Sequence, residues 1–176
     1  MEYTIRTVTT EDLDAVCRVE NRCFPAAEAA TREAFRTRIA LFPERFLVAE
    51  LPDVGIVGLI NGCCTDTPVL GDELYEPDCP HGLKNPWQTV FGLAVDPKYQ
   101  HRGIAKALMH ALVTRARDGG QKGVILTCKK EKIGFYDIAD AVEAALRLPV
   151  VQEPSLADIL EADRLARIHT RERFLK

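Results

Sequence analysis

The run Leu93-Ala94-Val95-Asp96-Pro97-Lys98-Tyr99-Gln100-His101-Arg102-Gly103-Ile104-Ala105-Lys106 holds the residue types and spacing best suited to chemistry. An apolar, strand-like stretch passes through a short loop straight into a helical pattern whose first turn is Gly-x-Ala. The start of a helix carries backbone N–H groups with no intrahelical acceptor and a partial positive charge. Small residues there let the backbone approach a phosphate closely. Arg102 and Lys106 add cationic side chains beside it. The chemistry implied is the cradling of a pyrophosphate by Gln100, His101, Arg102, Gly103, Ile104, Ala105 and Lys106.

The elements that position this loop can be read outward from it. Trp87 to Val95 is a buried strand, closed by Asp96-Pro97. Gly103 to Arg117 is a long helix with Ile104, Ala107, Leu108, Ala111 and Leu112 at helical spacing, and Gly119-Gly120 ends it. Val124 to Cys128 is a second buried strand, so strand, helix and strand form a right-handed parallel crossover. Upstream, Tyr3 to Val8 alternates as a first strand. Thr10-Glu11-Asp12 starts a helix capped by Thr10, with Leu13, Val16, Cys17 and Val19-Glu20 on its apolar side. Pro25 interrupts, a second helix runs from about Arg32 to Leu41, and Pro43 stops it. Arg45 to Leu51 and Gly55 to Cys64 form a hairpin about Pro52-Asp53. Asp66 to Pro86 is a long loop rich in proline and acids, and a loop of that length in a small domain usually serves function or moves.

Composition narrows the classes. The chain has 176 residues, 47% hydrophobic and 28% charged, enough for one domain with a real core. A net charge of -3 argues against a protein that works on nucleic-acid phosphates or anionic lipid. No apolar run approaches the roughly 18 residues of a membrane span. The first residues show no basic segment followed by an apolar one, so no signal peptide is expected and a cytoplasmic location is. The six cysteines form no CxxC pair and no zinc-spaced cluster with histidine. They are expected to be reduced and mostly buried, and no metal is expected.

Gln100-x-x-Gly103-x-Ala105 behind a strand ending Leu-Ala-Val-Asp-Pro resembles the acetyl-CoA motif of the GCN5-related N-acetyltransferase (GNAT) superfamily. The expected second strand follows, with Phe135-Tyr136 beyond it. The resemblance implies an α/β (α+β) fold with a mixed, splayed sheet flanked by helices, and acetyl-CoA as cosubstrate. It also implies that Leu93, Ala94 and Val95 pair their backbone with the pantetheine arm. A closer resemblance is to the bacterial arylalkylamine (serotonin-type) N-acetyltransferases. It rests on Glu20-Asn21-Arg22-Cys23-Phe24-Pro25-Ala26-Ala27-Glu28, Phe42-Pro43-Glu44, Gly58-Leu59-Ile60-Asn61-Gly62-Cys63, Asp72-Glu73-Leu74-Tyr75-Glu76-Pro77 and Leu126-Thr127-Cys128-Lys129, and covers about residues 1–137.

The implied reaction is direct attack of a neutral amine on the thioester. It needs a base for the ammonium, a donor to the thioester oxygen and an acid for the thiolate. Tyr136 matches the family's tyrosine that protonates the sulfur; an amphipathic core tyrosine is the other reading. The backbone N–H of Leu93 or Val95 would serve the thioester oxygen, and spacing does not choose between them. Vertebrate relatives place two histidines on the strand before Leu-Ala-Val, where this chain has Thr89 and Phe91, so that relay is absent. Glu28 is the substitute base, against a second reading as a solvated loop carboxylate; His81 is a weaker candidate, and His101 and His110 suit an exposed helix. The acidic loop Asp72 to Pro77 has charge opposite to an alkylammonium, with Phe24, Pro25 and Tyr75 as expected acceptor contacts and Phe42 and Trp87 as further walls.

Beyond Tyr136 the resemblance fails. Residues 1–136 read as the cosubstrate-binding core and 137–176 as a divergent, helical segment of the same domain, without the two closing strands of the family. A sheet edge left open there would favour a homodimer. The expected activity is acetyl transfer to a small primary amine. The alternatives are a polyamine or protein N-terminus as acceptor, or a CoA-binding module without turnover.

Overall fold

The computed structural model describes residues 2–76 and 81–126. Seven strands and three α-helices follow one another as β1 (Thr4–Thr7), α1 (Leu13–Cys23), α2 (Arg32–Leu41), β2 (Phe46–Leu51), β3 (Gly55–Asn61), β4 (Cys64–Thr65), β5 (Trp87–Val90), β6 (Gly92–Val95), α3 (Ile104–Asp118) and β7 (Gly123–Leu126). The expected α/β fold with a mixed, splayed sheet is what forms. One sheet has the order β1-β2-β3-β6 and the other β4-β5-β7. Every pairing is antiparallel except β5 with β7, which α3 connects as a parallel crossover.

Strand β2 shows why two layers of helix are needed. Its alternate residues go to opposite faces. Phe46 and Val48 join the cluster of Val16, Val19, Phe35 and Ile39 from α1 and α2. Leu47, Ala49 and Leu51 join Ile104, Leu108 and Leu112 of α3. Both clusters are almost wholly buried, and each large side chain so placed contributes roughly 1.5–3 kcal/mol.

Two expected boundaries are corrected. Thr9, not Thr10, closes the turn that leads into α1: Asp12 Oδ2 accepts from the Thr9 N–H at 2.8 Å, so residues 10–12 form a 3-10 turn before the helix proper. Trp87 to Val95 is not one strand. The Phe91 N–H donates to the Asn61 carbonyl at 2.8 Å while Gly92 also opposes Asn61 in the register, a bulge that breaks the run into β5 and β6. The opposing chain breaks as well, at Gly62-Cys63. There the two backbones pass so closely that a Cβ on Gly62 would lie 1.9 Å from the Thr89 carbonyl oxygen. Among the described residues no helix is long and apolar enough to cross a membrane. The expected helical segment at 137–176, its relation to the core and the missing closing strands all lie outside the described residues.

Candidate active site

The bulge creates the site. Asp96 N–H donates to the Val57 carbonyl at 2.8 Å, which fixes the alternation of the β3–β6 ladder. Ala94 and Gly92 then bond to β3, and Leu93 and Val95 turn their N–H and C=O groups to the opposite edge. Among the described residues no strand pairs with that edge. The Val95 carbonyl is occupied there by Gln100 Nε2 at 2.9 Å and by the Cys23 thiol at 3.2 Å. The Val95 N–H and both groups of Leu93 face the opening, so each of the two expected donors to a thioester oxygen is on the correct edge.

The loop into α3 is built to leave amides unpaired. His101 (φ 61°) and Gly103 (φ 81°) are both left-handed, and Gly103 caps the helix. The first bond closing the helix is Ala107 N–H to the Gly103 carbonyl at 3.0 Å, so Ile104 and Ala105 keep N–H groups without intrahelical acceptors. Gln100 is a strut between loop and strand rather than a free ligand. The Ile104 side chain is core, 1% exposed, and only its backbone belongs to the cradle. His101, Arg102 and Lys106 are exposed at the mouth, with Arg102 over the Tyr99 ring at 5.5 Å. Asp96 anchors the start of the loop. It accepts from Lys98 N–H at 3.0 Å and pairs with Arg22 of α1 at 2.5 Å. Burial works against its charge, but those two donors outweigh it and hold the carboxyl below the usual carboxylate range. These features fit the pyrophosphate and pantetheine of an acyl-CoA: unpaired amides at a helix start, small residues beside them and an unpaired strand edge.

On the α2 side of the bulge is an aromatic groove. A cavity of about 200 Å³ is lined by Thr31, Thr37, Arg38, Phe42, Leu74 and Tyr75, among others. Tyr75 stacks on Phe91 at 4.6 Å, and Phe91 meets Phe42 edge-on at 6.2 Å. The expected contact Tyr75 and the wall Phe42 are therefore here. Phe24 is half-buried on the α1 cluster, and Pro25 is exposed on the loop after it. Trp87 belongs elsewhere, its ring lying over Gly123 of β7. Glu73 and Glu76 are exposed.

Two charged residues that the sequence-based site did not include are buried. Arg38, 9% exposed, stands over Phe91 at 4.8 Å and donates to Asn61 Oδ1 at 3.1 Å. Glu20, 5% exposed, faces inward from α1. Its position in the apolar stripe was the available signal; the burial of Arg38 depends on rings distant in sequence and left none.

The candidate bases separate. Glu28 is exposed on the loop between α1 and α2. The Thr89 hydroxyl is spent on Cys63, accepting from its N–H at 2.9 Å and donating to its carbonyl at 3.1 Å. His81 Nδ1 accepts from the Cys64 N–H at 3.0 Å, its ring lies 4.9 Å from Phe42, and burial lowers its pKa. It is thus neutral at pH 7 with its proton on Nε2, a donor rather than a base. His101 sits in the loop before α3, not on the helix, whereas His110 is on the exposed side of α3 as expected. Tyr136 lies outside the described residues. No group of three or more His, Cys, Asp or Glu among the described residues could hold a metal ion.

A splayed strand and a left-handed glycine at a helix start suit a CoA-dependent acyltransferase. The model of the acetyltransferase (GNAT) family matches residues 13–138, and the chain belongs to that family. A search of curated proteins finds no match. Among solved structures, the loading GNATL domain of CurA from Lyngbya majuscula is similar at 20% identity and a TM-score of 0.67, over 78% of this chain and 70% of that one. The GphF GNAT-like decarboxylase in complex with isobutyryl-CoA is similar at 25% identity and a TM-score of 0.65, over 90% and 84%. Ard1 from Thermoplasma volcanium is similar at 22% identity and a TM-score of 0.60, over 79% and 82%.

Proposed function

We propose that the chain moves the acetyl group of acetyl-CoA to a small primary amine of the arylalkylamine kind. One observation carries the reading: Phe91, the bulge residue that frees the edge of β6, packs its ring against Tyr75 and Phe42, two walls of the groove. An aryl or alkyl group held there brings its amine to the strand edge where a thioester would lie. Leu93 or Val95 N–H stabilises the oxygen as charge develops, and Tyr136 protonates the departing sulfur. The groove already holds the Arg38 guanidinium, so the ammonium end belongs on the side of α1 and the loop after it.

The test is acetyl transfer to phenethylamine, tyramine, tryptamine, spermidine and a short peptide, with products weighed by mass spectrometry. Acetylated arylalkylamine, strongly reduced by Tyr136→Phe, is the expected result. Acetylation confined to spermidine or the peptide moves the acceptor to a polyamine or a protein N-terminus. No product, with acetyl-CoA still raising the Tm, leaves a CoA-binding module.

A second reading is favoured by Arg38 and by the likeness to the GphF decarboxylase. A buried guanidinium among aromatic rings suits a carboxylate, as on a carboxyacyl-CoA that loses carbon dioxide and gains a proton at the same carbon. Malonyl-CoA converted to acetyl-CoA without any amine would support it.

A further inference from the structure

We propose that Glu20 is the group that takes the proton from the acceptor's ammonium. The inference rests on the amine reading above and names its missing base. Glu20 is on the last turns of α1, on the face that packs against β3 and β6. One carboxylate oxygen, Oε1, accepts the Ala30 N–H at 3.0 Å and so ties down the loop between α1 and α2. The other, Oε2, is buried with no hydrogen-bond partner among the described residues. A buried carboxylate oxygen without a donor is costly, and such an atom in a folded protein calls for a role.

Its place supplies one. Cys23, three residues on and on the same helix face, reaches the Val95 carbonyl on the unpaired edge of β6. Glu20 is therefore about one helical turn from the residue that touches the strand whose N–H groups face the thioester. The charge of Arg38 from α2 acts on Glu20, and Cys17 and Cys23 are close to it on its own helix. Burial raises the Glu20 pKa, while the Ala30 N–H and Arg38 restrain that rise. The group is thus a stronger base than an exposed glutamate yet remains within reach of ionisation.

The ammonium gives one proton to Oε2 and becomes a free amine. Its nitrogen forms the N–C bond, the C–S bond breaks with its electron pair going to sulfur, and the second amine proton balances the thiolate. Glu20 returns its proton to solvent after release.

The test compares the full-length wild type with Glu20→Gln on whichever of the five amines is acetylated fastest. Gln keeps an oxygen for the Ala30 N–H, so the loop stays tied. The expected result is a fall in kcat of roughly 100-fold or more, an unchanged affinity for acetyl-CoA and loss of the acid limb of the kcat/KM pH profile. Arg38→Gln is the second variant, because it leaves the carboxylate in place. Removing that cation shifts the same limb upward in pH. Glu20→Gln within about threefold of wild type, or reduced with its acid limb intact, makes Glu20 a loop tie alone and leaves the amine reading standing; so does an unmoved limb in Arg38→Gln. A wild type that acetylates none of the five amines overturns the amine reading and this inference together.

Discussion

Replacing Gly103 separates two reasons why a glycine stands at the start of α3. Its φ of 81° is one that side chains rarely adopt, yet a Cβ there would meet no atom within 4 Å. In the free protein, Gly103→Ala therefore costs only the conformational penalty, about 1–2 kcal/mol. For a chain of this length that is a fall in Tm of about 2–8 °C. Asn tolerates the left-handed region better, so Gly103→Asn should lose about half as much. If the free loop instead relaxes to negative φ and must return on binding, the Tm is spared and CoA affinity falls by that free energy, roughly five- to thirtyfold for Ala. Scanning calorimetry gives the first quantity and titration calorimetry with CoA the second. Asn gentler than Ala in whichever of the two falls means that φ governs. Asn gentler in Tm but harsher in CoA affinity means that the phosphate comes too close for any side chain. Ala and Asn equal to glycine in both would refute the account of the loop.

Other expectations follow from single contacts. Gly62→Ala drives a Cβ into the Thr89 carbonyl and should cost at least about 3 kcal/mol by urea unfolding; a loss under about 0.5 kcal/mol would mean the crossing of the strands is misread. Asp12 is held below the usual carboxylate range chiefly by Arg6, and Asp96 is lowered too, so their contribution is full above about pH 4 and fades as pH falls through the lowered values. Asp96→Asn should lower the Tm at pH 7 and flatten its decline towards pH 3; parallel Tm curves would exclude this. Burial pushes the Cys23 thiol up to about 11 and raises that of Cys64, so iodoacetamide at pH 8 should spare both until urea is added, as peptide mass mapping can show. Tyr75→Ala should raise KM for the amine severalfold with CoA affinity unchanged, and a matching loss of CoA affinity would remove the groove from the acceptor site.

The sequence was informative where one residue decides the local outcome. Arg32–Leu41 is bounded by the Thr31 side chain, which accepts from Ala34 N–H, and by Pro43, and its limits match the expected ones. Gly103 and the Gly119-Gly120 stop delimit α3 in the same way. The break at Phe91 could not be seen, because a bulge in an apolar run has no compositional mark; it exists only relative to Asn61 on another strand. Cys63 and Cys64, adjacent in the sequence, are both fully buried, in keeping with the expectation for the cysteines. The acids at Glu73 and Glu76 drew attention by charge, whereas Glu20 and Arg38 are buried charges whose environment only tertiary packing creates.

The split between β5 and β6 also bears on how the chain survives in a crowded solution. A bare strand edge is ordinarily a site for adhesion to other chains. A metabolite whose amides lie along Gly92–Val95 would serve as a removable outer strand. Its supply would then govern colloidal behaviour as well as turnover.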